Sequence, residues 1–133
     1  MKSEYFNTTF YKNIALLFYA VANADKKIVI EEKRSIIQVI KNSSVELGNL
    51  SDNEETIYEV LRNLIKDNVT SDEAFEQFSH YATTNKHIFA KETSDALIHA
   101  AHKIASSKSD KNKSELIFLA KLNILLSSLH EKK

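Results

Sequence analysis

The sequence predicts an all-α protein, a compact bundle of about six helices. Apolar residues recur at helical intervals rather than in the alternation that is typical of strands. The chain has no proline and a single glycine, Gly48, so capping residues and polar clusters must set the helix boundaries. Three segments have the form of a capping box, in which a Ser, Thr or Asn precedes a Glu by three residues. They are residues 51–54, 70–73 and 112–115.

The first two predicted helices differ in how far their apolar surface extends. The first spans about residues 9–24 and is apolar on most sides, which is typical of a central helix. Its apolar positions are Phe10, Ile14, Ala15, Leu16, Leu17, Phe18, Ala20 and Val21. The second begins near Ile30 and ends near Gly48, which suits a left-handed C-terminal position. Its apolar positions are Ile36, Ile37, Ile40 and Leu47.

The third and fourth predicted helices each begin at a capping box. In such a box the first side chain accepts from the amide three residues later, and the glutamate reaches back to the first amide. The third helix, after residues 51–54, has the apolar stripe Ile57, Val60, Leu61, Leu64 and Ile65. The fourth, after residues 70–73, has Phe75, Phe78, Tyr81 and Ala82 on one face.

The last two predicted helices form the C-terminal third of the chain. The fifth spans about residues 92–106 and is expected to bury Leu97, Ala100, Ala101 and Ile104. The sixth begins at the capping box of residues 112–115 and carries Phe118, Leu119, Leu122, Leu125, Leu126 and Leu129. The first and sixth helices are the most apolar segments, so we expect them to pack against each other at the centre.

The fifth and sixth predicted helices resemble the first and second at a constant offset of 83 residues, the distance from Glu32 to Glu115. At that offset Ile36 corresponds to Leu119 and Asp25 to Lys108. This correspondence predicts two helical hairpins related by a pseudo-twofold axis. The alternative is that any two helical hairpins share this apolar spacing.

Length and composition favour one domain, residues 1–133, with enough chain to bury a core. The residues are 43% hydrophobic and 27% charged, which excludes a disordered tail. Without cysteine there is no disulfide, thiolate nucleophile or thiolate metal ligand. No apolar run is long enough for a membrane span, and the N-terminus lacks the apolar run of a signal peptide. We therefore expect a cytoplasmic protein without membrane insertion.

The charge balance argues against nucleic acid as a partner. Lys plus Arg number 18 and Asp plus Glu number 18, so the formal net charge is zero. Nucleic-acid-binding proteins normally carry a basic excess that displaces counterions from phosphates. Only Arg34 and Arg62 offer the bidentate guanidinium that suits phosphates and base edges.

A short motif joins the first two predicted helices. Residues 22–32 read Ala-Asn-Ala-Asp-Lys-Lys-Ile-Val-Ile-Glu-Glu. This stretch resembles the signature of the TerB-like tellurite-resistance family, Ala-x-Ala-Asp-Gly-x-Ile-Ser-x-x-Glu. The matching residues are Ala22, Ala24, Asp25, Ile28 and Glu32. The chain departs from the signature at Lys26, where the family has Gly, and at Val29, where it has Ser or Thr.

The resemblance implies a helical bundle with a cytosolic role in metal or oxyanion stress, acting as an accessory or sensing module rather than an enzyme. It also implies that acids in the two inter-helix turns hold a cation, and the acids carried over are Asp25, Glu32 and Glu115. Calcium or magnesium would suit such oxygen ligands. The alternative is that these acids interact with helix N-termini. Lys108, in the second turn, opposes a cation.

A second candidate metal site is the histidine pair His99 and His102, with Asp95 one turn earlier in the fifth predicted helix. Two imidazoles at this spacing could bind zinc, but a zinc site needs a third protein ligand, and packing is the alternative role. No serine lies in an elbow or glycine-rich turn that would expose a nucleophile, which argues against an enzyme.

Three functional hypotheses follow. The first is a non-enzymatic TerB-like stress-response module with a cation as ligand, and the second is a helical interaction or scaffold protein, including a homodimer. The third is a metal-dependent enzyme that uses the histidine pair.

Overall fold

The computed structural model describes residues 8–23, 54–106 and 113–129, with side chains for residues 8–23, 55–103 and 116–129. Within these ranges the chain is helical with short connections and contains no strand, which confirms an all-α protein there. The helices are α1 (Thr8–Ala22), α2 (Glu54–Lys66), α3 (Ser71–Thr84), α4 (Lys91–Ser106) and α5 (Lys113–Leu129). The second predicted helix, Gly48 and most of the first hairpin of the predicted repeat lie outside the described residues.

Helix α1 lies at the centre of the described bundle. Residues 14–22 are all buried, as are Phe10 and Tyr11. The helix contacts α2, α3, α4 and α5, and it packs most extensively against α3 and α2. A helix that is apolar around most of its circumference is stable only when neighbours cover each side. The sequence-based prediction of a central first helix is therefore confirmed.

The connection between α2 and α3 is a Schellman motif that uses asparagine in place of glycine. Asn68 has a φ of 55°, in the left-handed region. Its amide donates to the Ile65 carbonyl at 3.1 Å, and the Val69 amide donates to the Leu64 carbonyl at 3.1 Å. Leu64 and Val69 both pack against the core, which supplies the apolar contact that accompanies this motif. Asparagine tolerates the left-handed region better than most residues do.

Helix α3 begins at the predicted capping box. The Thr70 hydroxyl accepts a hydrogen bond from the Glu73 amide at 3.1 Å. At the other end of the helix, the Asn85 amide donates to the Tyr81 carbonyl at 2.9 Å. A single 3-10 turn, Lys86–Ile88, then leads to Phe89. The other two predicted boxes include residues outside the described ranges.

Phe89 connects three parts of the core. The ring is fully buried and contacts Phe78 and Tyr81 edge-on, with centroid distances of 5.8 and 6.1 Å. It also lies 6.2 Å from the ring of Phe10 on α1. The Ser94 hydroxyl donates to the Phe89 carbonyl at 3.2 Å, which fastens the segment before α4 to the first turn of that helix.

Within the described residues, helix α5 packs against the bundle with one side only. Phe118, Leu119, Leu122 and Leu126 are buried, and Leu125 and Leu129 pack partly against the same core. The helix contacts α1 but also α4 and α3. The expectation that α5 packs against α1 is met, since the two helices contact each other, although among the described helices α3 and α2 cover more of α1 than α5 does.

Candidate functional site

The candidate cation ligands lie almost entirely outside the described part of the structure. Asp25 and Glu32 fall in residues 24–53, and Glu115 belongs to the first turn of α5 without a described side chain. The described residue Ala22 ends α1 and is 1% exposed. The Asn23 amide continues the helical pattern by donating to the Tyr19 carbonyl at 2.8 Å. The motif therefore begins directly at the buried end of the central helix.

The histidine pair lies on α4 with no third ligand among the described residues. His99 is exposed and His102 is half-buried. The nearby carboxylate, Asp95, pairs instead with the ammonium of Lys91 at 3.1 Å, and both side chains are largely exposed. No group of three or more histidine, aspartate or glutamate side chains suited to a metal ion occurs in the described ranges.

A groove of about 640 Å³, lined by polar residues, runs between α3 and the N-terminal half of α1. Its lining residues are Asn13, Glu73, Glu76, Gln77, His80, Tyr81, Thr84 and Asn85. The volume lies within the range of small-molecule sites, but those sites enclose their ligands, whereas this groove is open to solvent. Burial raises the pKa of Tyr81, and its phenol is protonated at neutral pH as that of any tyrosine is. With two carboxylates beside it, the groove suits a cationic or hydrogen-bonding group.

The sequence analysis did not identify this groove. Glu73, Glu76 and His80 are spaced at i, i+3 and i+7, and such spacing is the ordinary signal of a solvated helix face. The signal that distinguishes a groove from a flat face is the opposing wall, here Asn13 on α1, which only tertiary structure supplies.

A smaller pocket of about 350 Å³ lies between α3 and α5. The Lys121 ammonium approaches the Asp72 carboxylate at 3.6 Å and sits 4.8 Å from the centroid of the Phe118 ring. Phe118 in turn meets Phe75 edge-on at 5.8 Å. An exposed pair of this kind contributes only about 0–1 kcal/mol, so the contact orients α5 on α3 more than it stabilises the fold.

The outer face of α5 is apolar, and no other element in the described part of the chain covers it. Leu116, Ile117 and Ile124 are 49%, 50% and 71% exposed, and all three project from this helix. The other exposed residues between 116 and 129 are Ala120, Lys121, Asn123, Ser127 and Ser128. Only Lys121 is charged, and its ammonium is already paired with Asp72. The sequence analysis missed this face because it treated α5 as a central helix.

Comparison with protein-family models, with curated proteins and with solved structures found no match for this chain. The similarity to TerB-like proteins therefore rests on the motif of residues 22–32. In the described ranges, no helix combines the length and the apolar character that crossing a membrane requires.

Proposed function

We propose that the protein is a non-enzymatic, TerB-like stress-response module that binds a divalent cation through acids at its inter-helix turns. The observation that carries the proposal is the position of the motif. α1 ends at the buried Ala22, and Asp25 follows within three residues. The carboxylate of Asp25 follows the most buried of the described helices, and we expect that attachment to restrict its position.

The chemistry of the proposed ligands suits a hard cation. Asp25 and Glu32 supply carboxylate oxygens, which calcium and magnesium prefer to nitrogen or sulfur. Glu115, at the start of α5, is the equivalent of Glu32 in the second hairpin. When bound, the cation would neutralise these acids and connect the two turns.

The proposal is tested by thermal unfolding of the full chain with calcium, magnesium, zinc or a chelator. We expect calcium or magnesium to raise Tm, because a ligand bound only to the folded state stabilises it. The increase should be lost in Asp25→Asn and Glu32→Gln and kept in Glu59→Gln, a matched change at an exposed position on α2. An unchanged Tm, or an increase that both motif variants retain, contradicts the proposal. An increase with zinc alone would point to His99 and His102.

A second candidate function is a helical interaction or scaffold protein, and the outer face of α5 favours it. Large apolar side chains on a water-facing surface with almost no charge are typical of protein-contact sites. Helices α2 and α3 differ, since their exposed positions include Glu55, Glu59, Arg62, Asp72 and Glu76.

A further inference from the structure

The groove between α3 and the N-terminal half of α1 has an asparagine at each wall, and both asparagines keep an oxygen available. The Asn13 side chain donates its amide N–H to the Thr9 carbonyl, and the Asn85 side chain donates to the Tyr81 carbonyl, both at 2.9 Å. A backbone carbonyl only accepts, so these bonds fix which atom of each side-chain amide is the nitrogen. Each side chain is therefore left with its oxygen as an acceptor beside the groove.

Two carboxylates on the α3 wall add negative charge. Glu73 and Glu76 are one turn apart, both are exposed, and both line the groove. Among the described residues, neither carboxylate has a hydrogen-bond or ion-pair partner. Such a pair of unengaged carboxylates attracts a cation.

The basic residues near the groove do not neutralise these acids. The lining contains no lysine or arginine among the described residues. Lys12 and Lys86 are next to lining residues in sequence, but neither of them lines the groove. Glu76 also borders the smaller pocket that contains Lys121, but that ammonium is directed to Asp72 at 3.6 Å. The groove therefore keeps an excess of negative charge.

Tyr81 gives the groove an aromatic wall. Its half-buried ring lines the groove and is held by Phe89, whose ring centroid lies 6.1 Å away. Aromatic rings attract ammonium groups, and they pack against methylene chains. A bare metal ion would use neither property, and no group of three or more acidic or histidine side chains suited to a metal occurs in the described ranges. An organic ammonium compound uses the acceptors, the charge and the ring together.

The length of the groove favours a ligand with several ammonium groups. The lining positions on α3 extend from Glu73 to Thr84, a span of roughly 16 Å at the rise of an α-helix. The carboxylates lie towards the start of this span, and the amide oxygen of Asn85 lies just beyond its end. A compact cation would reach one of these places only, whereas an extended chain reaches both.

We propose that this groove binds a linear aliphatic polyamine. Its ammonium groups contact the carboxylates of Glu73 and Glu76 at one end and the Asn85 oxygen at the other, and its methylene chain lies along Tyr81. The proposal goes beyond the cation proposal and uses none of the same ligands.

The first test is a titration of the full chain with spermidine, followed by amide NMR shifts at constant ionic strength. A pH of about 8 is chosen because a protonated imidazole at His80 would oppose a cation. We expect saturable shifts near Asn13 and from Glu73 to Asn85, with a Kd on the order of 1 mM, since exposed ion pairs contribute little. Butanediol, which has hydroxyls in place of ammonium groups, should give none. Absence of saturation, equal shifts with butanediol, or shifts centred on residues 22–32 overturn the proposal.

A pair of matched double variants tests the charge. Glu73→Gln with Glu76→Gln should raise the Kd about tenfold, because both ion pairs are lost. Glutamine at position 73 preserves the capping box, so α3 should remain folded. Glu55→Gln with Glu59→Gln removes the same charge from exposed positions of α2 and should leave the Kd within about twofold. Equal weakening in the two double variants would show attraction by net charge alone and overturns the proposal.

Two variants of Tyr81 test the aromatic wall. Tyr81→Leu keeps an apolar side chain without the ring and should raise the Kd about two- to fivefold. Tyr81→Phe keeps the ring and should bind spermidine nearly as tightly as the wild type does. The amide spectrum of each unbound variant shows whether the fold is intact. Equal Kd values for the two folded variants overturn the contact with Tyr81.

Discussion

At the scale of single residues, Tyr19 joins the central helix to a distant turn. Its hydroxyl donates to the Val69 carbonyl at 2.6 Å, although the two residues are 50 positions apart in sequence. The Asn23 amide group lies 3.4 Å from the same carbonyl and provides a second, longer contact. The side chain of Tyr19 is 1% exposed, so the bond is shielded from water. This hydroxyl therefore joins the end of α1 to the α2–α3 connection.

Replacing Tyr19 with phenylalanine should lower the free energy of unfolding by about 1–2 kcal/mol, because a buried carbonyl loses its short hydrogen bond. Urea unfolding of the purified chain measures this loss. The control is Tyr81→Phe, the same chemical change at a side chain that lines the open groove, and we expect a change within about 0.5 kcal/mol. Equal losses of unfolding free energy in the two variants would mean that the Tyr19–Val69 hydrogen bond stabilises the fold no more than the Tyr81 hydroxyl does.

At the scale of elements, local sequence signals predicted where helices form more accurately than they predicted which helices pack against each other. The Thr70 cap was predicted because its partner, Glu73, is three residues away. The left-handed conformation of Asn68 was not predicted. An asparagine in an exposed turn can adopt several backbone conformations, and the sequence does not show which one it adopts. The outer face of α5 was also missed, because Ile117 and Ile124 are as apolar as the buried Leu119 and Leu122. Which side of an apolar helix is covered depends on tertiary packing.

The candidate sites differ in the same way, because one is a contiguous motif and the other is formed by residues that are distant in sequence. The motif at residues 22–32 was recognisable from contiguous sequence, yet its ligands Asp25 and Glu32 lie outside the described residues, so the cation site stays a prediction. The groove beside α3 could not be predicted, since Asn13 on its far wall is 60 positions before Glu73 in sequence.

The α2–α3 connection leads to a prediction about backbone conformation. Asn68→Val should lower the free energy of unfolding by about 1–2 kcal/mol, because a β-branched residue is strained in the left-handed region. Asn63→Val makes the same change inside α2, where asparagine and valine have similar helix propensities, and should cost less than about 0.5 kcal/mol. Chemical denaturation of both variants decides the matter. If Asn68→Val is as stable as the control, the left-handed turn is not a constraint on this fold.

At the scale of the whole molecule, the described helices share one core around α1 but present different surfaces. Helices α2 and α3 expose charged side chains, and the groove beside α3 contains the carboxylates of Glu73 and Glu76. Helix α5 exposes isoleucine and leucine instead. A zero net charge thus coexists with an uneven distribution of charge among the described helices. Charged and apolar surfaces thus lie on different described helices of this small protein.

The core also makes the stability of the whole molecule sensitive to alkaline pH. Burial raises the pKa of Tyr11 to about 12, and it raises the pKa values of Tyr19 and Tyr81 as well. In the unfolded chain a tyrosine has a pKa of about 10. Between these two values the unfolded state loses the Tyr11 proton while the folded state keeps it. The stability that the protonated Tyr11 phenol contributes is therefore fully present below about pH 10 and is lost as the pH rises towards 12. For this one phenol, the free energy of unfolding falls by at most about 1.4 kcal/mol per pH unit.

Urea unfolding from about pH 8 to about pH 11 should consequently show constant stability at first and a decline above about pH 10. Tyr11→Phe removes the titrating group from a side chain that is 1% exposed, so its decline should be shallower than that of the wild type. Lysines also titrate in this range, but they do so in both proteins, and the difference between the two curves isolates the phenol. Parallel curves would show that Tyr11 ionises equally easily in the folded and unfolded chains. The burial of Tyr11 in the core would then not be the cause of the loss of stability at alkaline pH.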